Sequence, residues 1–431
     1  MGQAVLPAFR GVRPIHSHLL TLNPDFATIE ADEEFVNLTR FEAQLTEKRP
    51  IFLETNNRFR QRIQTFYSRR IADIDIGGNL LSRKGPWDFT LLSARSRLPA
   101  LGSGGPERRF ANYTVARADR QILKSSSLGM MVTNRSLDGE NRGATGLDTT
   151  LFFTRTFGFT GQVVRSHGPF KTGRWAYFIR PAYDSSTGHF HLRYTHLGDR
   201  FGDNLNAIGF IRDDDHREFD SDIDKIFWFK SGPVQRLTLQ SKNNIYWSQR
   251  NLLRSYHNIE TIQVEFRNRW NVMAQHTNDF KLFEKGFHND QAEFQIGYNT
   301  REFQSWALGY QDGKNFDSDL KAASAHFRRK LTRQLAAEYQ LSRVWLKPDP
   351  QKKATLINIF RLRHNFTRDL FLRLFFQTNS VIDRKNLEAV FVWRYKPPFG
   401  SVQFAFQRGR AEFGQRSQQG NTYFLKLAHV F

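Results

Sequence analysis

Apolar and polar residues alternate along most of this chain, in runs of about 9–14 residues that begin near Ile63 and continue to the C-terminus. In the clearest run, Leu370, Leu372 and Leu374 share one face, and Arg373 lies on the other. A period of two is typical of β-strands, and about ten such residues cross a bilayer at a tilt. The pattern therefore predicts an all-β fold, a transmembrane antiparallel β-barrel of about 20–22 strands.

The breaks between the runs alternate in length. Because bacterial outer-membrane barrels have short turns on the periplasmic side and longer loops outside, this alternation assigns each break to one end of the barrel. About 21 runs follow Ala72, and an even strand number requires one more, for which residues 64–70 are the candidate. The short breaks are 84–86, 157–159, 270–271, 302–304 and 397–399, and the longer ones are 99–108, 138–145, 200–221 and 410–420.

The N-terminal part lacks this alternation. We predict that residues 1–62 form a short, partly helical lead-in or plug-like segment, on the periplasmic side or folded into the lumen, and that residues 63–431 form the barrel. Asp32 is a favourable N-cap for a helix over residues 32–46, whose apolar residues recur at spacings of three and four. Residues 1–13 show no secretory signal, so the front end of the full protein is expected to be missing.

The last predicted strand carries an apolar face that ends on an aromatic residue. Its members are Tyr423, Leu425, Leu427 and Phe431. This arrangement resembles the signal that the outer-membrane assembly machinery reads. The expected location is therefore the cell outer membrane, and the expected partners are its lipid and lipopolysaccharide and the barrel-assembly machinery.

The composition excludes cysteine-based chemistry and argues against nucleic-acid binding. The chain has no Cys, which excludes disulfides and thiolate chemistry. Its net charge is +21, but the 63 Lys and Arg are spread along the strands, so nucleic acid is not an expected partner. A basic nucleic-acid-binding β-protein is kept only as the second alternative to the outer-membrane barrel. If basic residues such as Arg193, Arg373 and Arg394 face the lumen, a conducting barrel should prefer anions.

Candidate metal ligands have simpler explanations. His189 and His191 share one strand face and could hold Zn²⁺ or Cu²⁺, as could His16 and His18 if that segment is extended, but a polar lumen wall explains His189, His191 and Arg193 without a metal and is the preferred interpretation. Two acidic groups also have simpler explanations than a metal site. Asp25, Glu30, Asp32, Glu33 and Glu34 suit a helix N-terminus, and Asp220, Asp222 and Asp224 are followed by Lys225 where a calcium loop requires Gly. We predict no metal and no cofactor.

No constellation for catalysis stands out. Paired carboxylates cannot be singled out, and a Walker loop, a G-x-S-x-G elbow and a zincin helix are absent from the sequence. No catalytic residue is predicted, and an enzyme is not the expected class.

Several stretches resemble a known family. They are LNPDFATIEAD at 22–32, NLTRFE at 37–42, EKRPIFLE at 47–54, FYSRRI at 66–71, NYTV at 112–115, SSLG at 126–129 and IGFIR at 208–212. The family is an outer-membrane β-barrel domain of unknown function that usually follows a family-9-type carbohydrate-binding module in Gram-negative bacteria. The residues that carry the resemblance, expected to be structural, are Asn23, Pro24, Asp25, Phe26, Glu30, Asp32, Arg40, Phe41, Arg49, Pro50, Phe52, Glu54, Tyr67, Arg69, Arg70, Gly209, Phe210, Asp215 and Arg217.

The resemblance leaves the specific role open. Passage, docking or surface display in the outer membrane is the leading expectation. Through the neighbouring module, the resemblance also implies a carbohydrate-binding or glycoside-hydrolysing protein as the first alternative, with glycans as partners.

Overall fold

The computed structural model describes residues 4–5, 15–24, 42, 44–98, 109–349, 354–381, 384–397, 400–408 and 420–429. They form one antiparallel sheet of 23 strands, of which β1 has two residues and the 22 that follow have 8–14. Helical structure is confined to α1 (Pro50–Asn56), a 3-10 turn (Ser68–Arg70) and α2 (Phe201–Leu205) within the described residues.

The strands follow the chain in order. Their bounds are β1 Ala4–Val5, β2 Ile15–Leu22, β3 Asp73–Lys84, β4 Trp87–Leu98, β5 Arg109–Ile122, β6 Ser126–Leu137, β7 Glu140–Phe152, β8 Phe157–His167, β9 Trp175–Ser185, β10 Gly188–Leu197, β11 His216–Trp228, β12 Val234–Trp247, β13 Leu253–Phe266, β14 Trp270–Leu282, β15 Gly286–Tyr298, β16 Ser305–Asn315, β17 Ser318–Lys330, β18 Leu335–Lys347, β19 Thr355–Asn365, β20 Leu370–Asn379, β21 Arg384–Lys396, β22 Gly400–Arg408 and β23 Asn421–His429.

Each strand is hydrogen-bonded to the next, from the β1–β2 pair to the β22–β23 pair. Within the described residues, no pairing joins β23 to β1 or β2. Alternate connections, beginning with β3–β4, are two to six residues long, and we call this the short-turn end of the sheet. The opposite end carries the longest connections, 23–72 and 198–215.

The 21 strands predicted after Ala72 are confirmed as β3 to β23. The additional strand is not residues 64–70, because the carbonyl groups of Ser68 and Ile71 accept hydrogen bonds from the Arg49 side chain and not from a neighbouring strand. It is β2, which precedes the lead-in segment and pairs with β3 from Leu22 opposite Ile76 onward.

The predicted breaks lie at the ends of the sheet to which they were assigned, but several of their bounds are wrong. The break 138–145 shrinks to Asp138 and Gly139, with φ angles of 51° and 82°, and β7 begins at once. Two residues with positive φ form the tight hairpin turn whose twist matches the flanking strands. Residues 157–159 and 270–271 belong to the first residues of β8 and β14.

The predicted helix over 32–46 is not supported where the chain is described. Residues 25–41 and 43 lie outside the described residues, and 42 and 44–46 are not helical. The Leu45 N–H donates to the Tyr67 hydroxyl over 2.8 Å, and that hydroxyl donates back to the Leu45 carbonyl over 3.2 Å. These contacts replace the bonds that a helix would make.

The two faces of the sheet differ in chemistry. On one face the exposed residues are large and apolar, and we call it the outer face. Its aromatic rings form two bands: Trp270 lies 5.1 Å from Trp306 near the short-turn end, and Tyr194 lies 5.1 Å from Phe219 near the other. Aromatic girdles at both interfaces are typical of outer-membrane barrels.

The other face, which we call the inner face, is polar or buried. One row across four paired strands, Asn79, Leu92, Val115 and Thr133, is almost completely buried. The residues that bury it come from the connection between β2 and β3, described below.

The C-terminal strand has the predicted phase. Tyr423, Leu425 and Leu427 are 64%, 76% and 70% exposed on the outer face, and Phe424 and Lys426 are half-buried on the inner face. Phe431 lies outside the described residues. The assembly role of this strand stays a prediction.

Changing both Leu425 and Leu427 to Asp should reduce assembly, because each charge on a lipid face costs at most about 2–4 kcal/mol, and less for acidic groups. Lys426→Gln should have little effect, since that side chain lies on the inner face. The measurement is the yield of heat-modifiable protein in outer membranes. Equal yields for the two proteins would contradict this orientation, since a one-residue slip exchanges the faces.

Candidate functional site

Residues 44–71 form an inner segment that packs against the inner face of β3 to β10. Seven of its large side chains are buried: Ile51, Phe52, Phe59, Ile63, Phe66, Tyr67 and Ile71. All of them except Tyr67, which packs against Phe210, form one apolar cluster with wall residues from β3 to β10. Because the segment connects β2 to β3, it fills part of the inner space without interrupting the sheet. The predicted division at residues 62 and 63 stays a prediction.

A buried ion pair shapes the start of the inner segment. Glu47 and Arg49 are both less than 10% exposed and are joined at 2.7 Å. Arg49 also donates to the carbonyls of Ser68 at 2.7 Å and Ile71 at 2.5 Å, and its guanidinium lies 4.4 Å from the Phe52 ring centroid. Burial raises the pKa of Glu47, but the hydrogen bonds and charge of Arg49 outweigh it, so that the pKa lies below its ordinary value.

The helix that follows, α1, is seven residues long and begins at a proline. Pro50 occupies its first turn, where a missing N–H costs nothing. Ile51 and Phe52 face the apolar cluster, whereas Glu54 is exposed.

Polar bonds hold the inner segment to the wall along its length. Gln162 on β8 accepts the Ile63 N–H at 2.8 Å and donates to the Ile63 carbonyl at 3.0 Å. Gln61 donates to Asp148 at 2.6 Å, and Arg58 lies 3.2 Å from Asp88 near the short-turn end. The segment therefore extends through much of the depth of the sheet.

The connection 198–215, which contains α2, packs onto the inner segment. The Phe210 N–H donates to the Gln64 carbonyl at 3.0 Å, and the Tyr67 N–H donates to the Ile208 carbonyl at 2.9 Å. A Cβ at Gly209 would lie 2.7 Å from the Gln64 carbonyl oxygen, so this position requires glycine. The two pieces form one buried cap at the long-connection end.

The structure brings much of the family motif together. Arg49, Pro50, Phe52, Tyr67, Arg70, Gly209 and Phe210 all belong to the inner segment or to the loop against it. Arg69 donates to the Thr46 carbonyl, and Asn23 and Pro24 follow β2. Asp215 and Arg217 bind the turn after β12. Asp25, Phe26, Glu30, Asp32, Arg40 and Phe41 lie outside the described residues.

A basic cluster lies on the inner face of β19 to β21. Arg363 and Arg373 are directly opposite each other in the β19–β20 register. The Arg373 guanidinium has no hydrogen bond or ion pair within the described part of the chain, and its Nε is buried. Arg363 donates only to Asn365, at 3.1 Å, among the described residues. Like charges opposite each other destabilise a strand pair, so this arrangement favours a negative partner.

A cavity of about 210 Å³ adjoins these arginines. Its inner-face lining includes Phe375 and Glu388, and Arg361 on the same wall is bound to Glu338 at 2.9 Å. Aromatic rings support the guanidinium groups: Arg361 lies 5.5 Å from the Phe375 centroid, and Arg363 and Arg394 lie 5.1 and 5.4 Å from the Phe371 centroid. The cavity suits a small anion, which guanidinium groups bind in a bidentate way.

A second polar cluster lies across β9 to β12. His189 and His191 face inward with Arg193, as the sequence indicated, and the register adds Asp222 opposite His191. Arg193 is bound to Asp220 at 2.8 Å, so its charge is balanced. His16 and His18 are exposed on β2. Of the described residues, only His189, His191 and Asp222 form a group with metal-ligand spacing.

Comparisons with known proteins agree on the fold. A family model described as Domain of unknown function (DUF5916) matches residues 19–82, which cover the second half of β2, the inner segment and most of β3. No curated protein matches the chain. The siderophore receptor PirA from Pseudomonas aeruginosa has a similar structure, with a TM-score of 0.55 at 9% identity over 85% of this chain and 78% of that one.

The chain therefore has the fold of an outer-membrane β-barrel, as the alternation predicted. No described helix has the length and apolar character to cross a membrane. The upstream carbohydrate-binding module and its glycans stay predictions.

Gln162→Leu should loosen the inner segment. It leaves the Ile63 N–H and carbonyl buried without their partners, which costs about 2–4 kcal/mol in total. Protease cleavage within residues 44–71 of the folded protein should become at least about tenfold faster. Gln291→Leu makes the same chemical change on the inner face of β15, away from the segment, and should not alter the rate. Equal rates in both variants would contradict the anchoring role.

The loop 198–215 should dock more tightly at low pH. Burial raises the pKa of Asp214 to about 6, against the lowering effect of the hydrogen bond from the Gly202 N–H. Because the raised pKa means that the docked loop prefers the protonated carboxyl, the stabilisation is complete below about pH 4 and is lost as the pH rises through about 6.

A nitroxide label at Ala207→Cys, the only thiol in such a chain, should be less mobile at pH 4 than at pH 7.5. Asp214→Asn should keep the label immobile at both values. A pH-dependent label in that variant would show that another group controls the loop.

Proposed function

We propose that this chain is an outer-membrane barrel that admits small anionic solutes along the basic part of its lumen. The observation that carries the proposal is the direct opposition of Arg363 and Arg373, neither of which has a carboxylate partner within the described residues. Passage through the outer membrane is preferred to docking or surface display because this charge faces inward.

The energetics favour an anion at this place. Two guanidinium groups on paired strands repel each other, and the hydrogen-bonded register prevents them from moving apart. An anion between them lowers that energy and receives two forked donors. Arg363 stacks on Phe371, and the neighbouring Arg361 stacks on Phe375, which limits the freedom of these two side chains and reduces the conformational entropy lost on binding.

We infer that the inner segment acts as a gate beside this path and limits its width. It covers the inner face of β3 to β10, whereas the arginine cluster lies on β19 to β21 and is not covered by it in the described residues. Passage along the uncovered wall therefore needs no unfolding of the segment, and loosening the segment should widen the path.

The charge preference is testable in planar bilayers. Wild-type protein in a KCl gradient should give a reversal potential that shows a preference for chloride. Arg373→Gln should reduce the chloride-to-potassium permeability ratio by about two- to fivefold, because one unit charge at close range contributes about 1 kcal/mol in water. Arg193→Gln is the matched control. It also removes an inward arginine, but one already balanced by Asp220, and the ratio should change less.

A cation preference in the wild type, or equal effects of the two variants, would overturn the proposal. If the wild type does not conduct, Gln162→Leu distinguishes a closed gate from a sealed barrel. Conductance that appears only in that variant supports gating by the inner segment, and silence in both rejects passage.

A further inference from the structure

The two inward histidines of β10 are held in an unusual arrangement. His189 Nε2 and His191 Nδ1 face each other at 2.8 Å. The second nitrogen of each ring lies against a carboxylate: His189 Nδ1 is 2.5 Å from Asp184, and His191 Nε2 is 2.8 Å from Asp220. Both contacts come from strands paired with β10, so the sheet register fixes them.

The carboxylates determine the tautomers. An ionised carboxylate only accepts hydrogen bonds, so His189 Nδ1 and His191 Nε2 must both carry the proton. In neutral rings the two facing nitrogens then present lone pairs to each other at a distance where they repel. Arg180 agrees with this assignment, because its guanidinium lies 3.1 Å from His191 Nδ1 and can only donate. A positive species between the rings removes the repulsion.

We propose that His189, His191 and Asp222 form a binding site for a divalent transition-metal ion of the Zn²⁺ class. One ligand atom from each residue lies within 4.8 Å of the others, and two imidazoles with one carboxylate are a donor set that Zn²⁺ accepts. Small side-chain rotations bring these atoms to the spacing of about 3.4 Å that metal–ligand distances near 2.1 Å require.

The surroundings suit a metal site with an open position. Asp184 and Asp220 orient the two imidazoles from outside, which is the usual role of carboxylates behind metal-binding histidines. The His189 side chain is 20% exposed, so an ion can enter from the inner space. Arg180 opposes the ion, because it has to leave His191 Nδ1 when the metal binds.

The competing explanation is a proton shared between the rings. It satisfies the facing nitrogens without any metal, and among the described residues it leaves Asp222, which lies opposite His191 in the register, with only its contacts to Lys242 at 3.7 Å and Gln240 at 3.4 Å. Zinc titration separates the two explanations, and it does not depend on whether the barrel conducts.

The experiment is calorimetric titration of the folded full chain in detergent with Zn²⁺ at pH 7.5. Wild type should take up one Zn²⁺ per chain, His189→Gln should bind it at least about tenfold more weakly, and Asp222→Asn should do the same. Arg180→Gln should tighten binding. His257→Gln is the matched control, since His257 faces inward beside Asp279 without a second histidine among the described residues, and it should bind as wild type does.

Absence of Zn²⁺ uptake by the wild type overturns the proposal and leaves the shared proton. Equal affinity in His189→Gln and His257→Gln also overturns it, because the ion then binds elsewhere. Heat-modifiable migration of each variant confirms that it is folded, so that a loss of binding reports on the site.

Discussion

Complete pairing of backbone N–H and C=O groups is the constraint on which the rest of this structure depends. In a bilayer each unpaired group costs several kcal/mol, so a chain that crosses with strands must give every strand a neighbour on each side. From β2 to β22 each described strand has two partners, and the chain makes these pairings in sequence order. Short turns can then join most neighbours, and side chains must alternate between two environments.

The connection between β2 and β3 has to meet the same requirement by other means. It joins two adjacent strands over about fifty residues, and its described part at 44–71 packs against the inner face, so the polar groups of that part need partners there. Arg49 binds two carbonyls, Gln162 binds both polar groups of Ile63, and the loop 198–215 pairs with Gln64 and Tyr67. The family motif is therefore largely explained by the satisfaction of a buried, irregular backbone.

Period-two alternation was sufficient to predict β3 to β23, their faces and the ends at which they turn. It missed β2 because that strand is short and is separated from the series by the inner segment. It also enlarged the break at Asp138 and Gly139, since a two-residue turn needs only local φ values and no polar run. The sites were harder to predict. The inward direction of His191 and Arg373 follows from alternation. The residues opposite them on the paired strands, Asp222 and Arg363, depend on the strand register, which no local sequence pattern contains.

The strand register also determines whether a basic side chain of the inner face lies opposite a carboxylate or opposite another basic group. On β10, β11 and β12 basic and acidic side chains meet across the strands: Arg193 binds Asp220, and Lys242 lies 3.7 Å from Asp222. On β19 and β20 the same geometry brings arginine to arginine. Because backbone pairing holds both registers rigidly, neither wall can relax by sliding. The wall of β10 to β12 is therefore neutralised by its own ion pairs, and it can hold side chains such as the imidazoles of His189 and His191 in fixed positions. The wall of β19 and β20 keeps an unfavourable electrostatic energy, which an entering anion lowers.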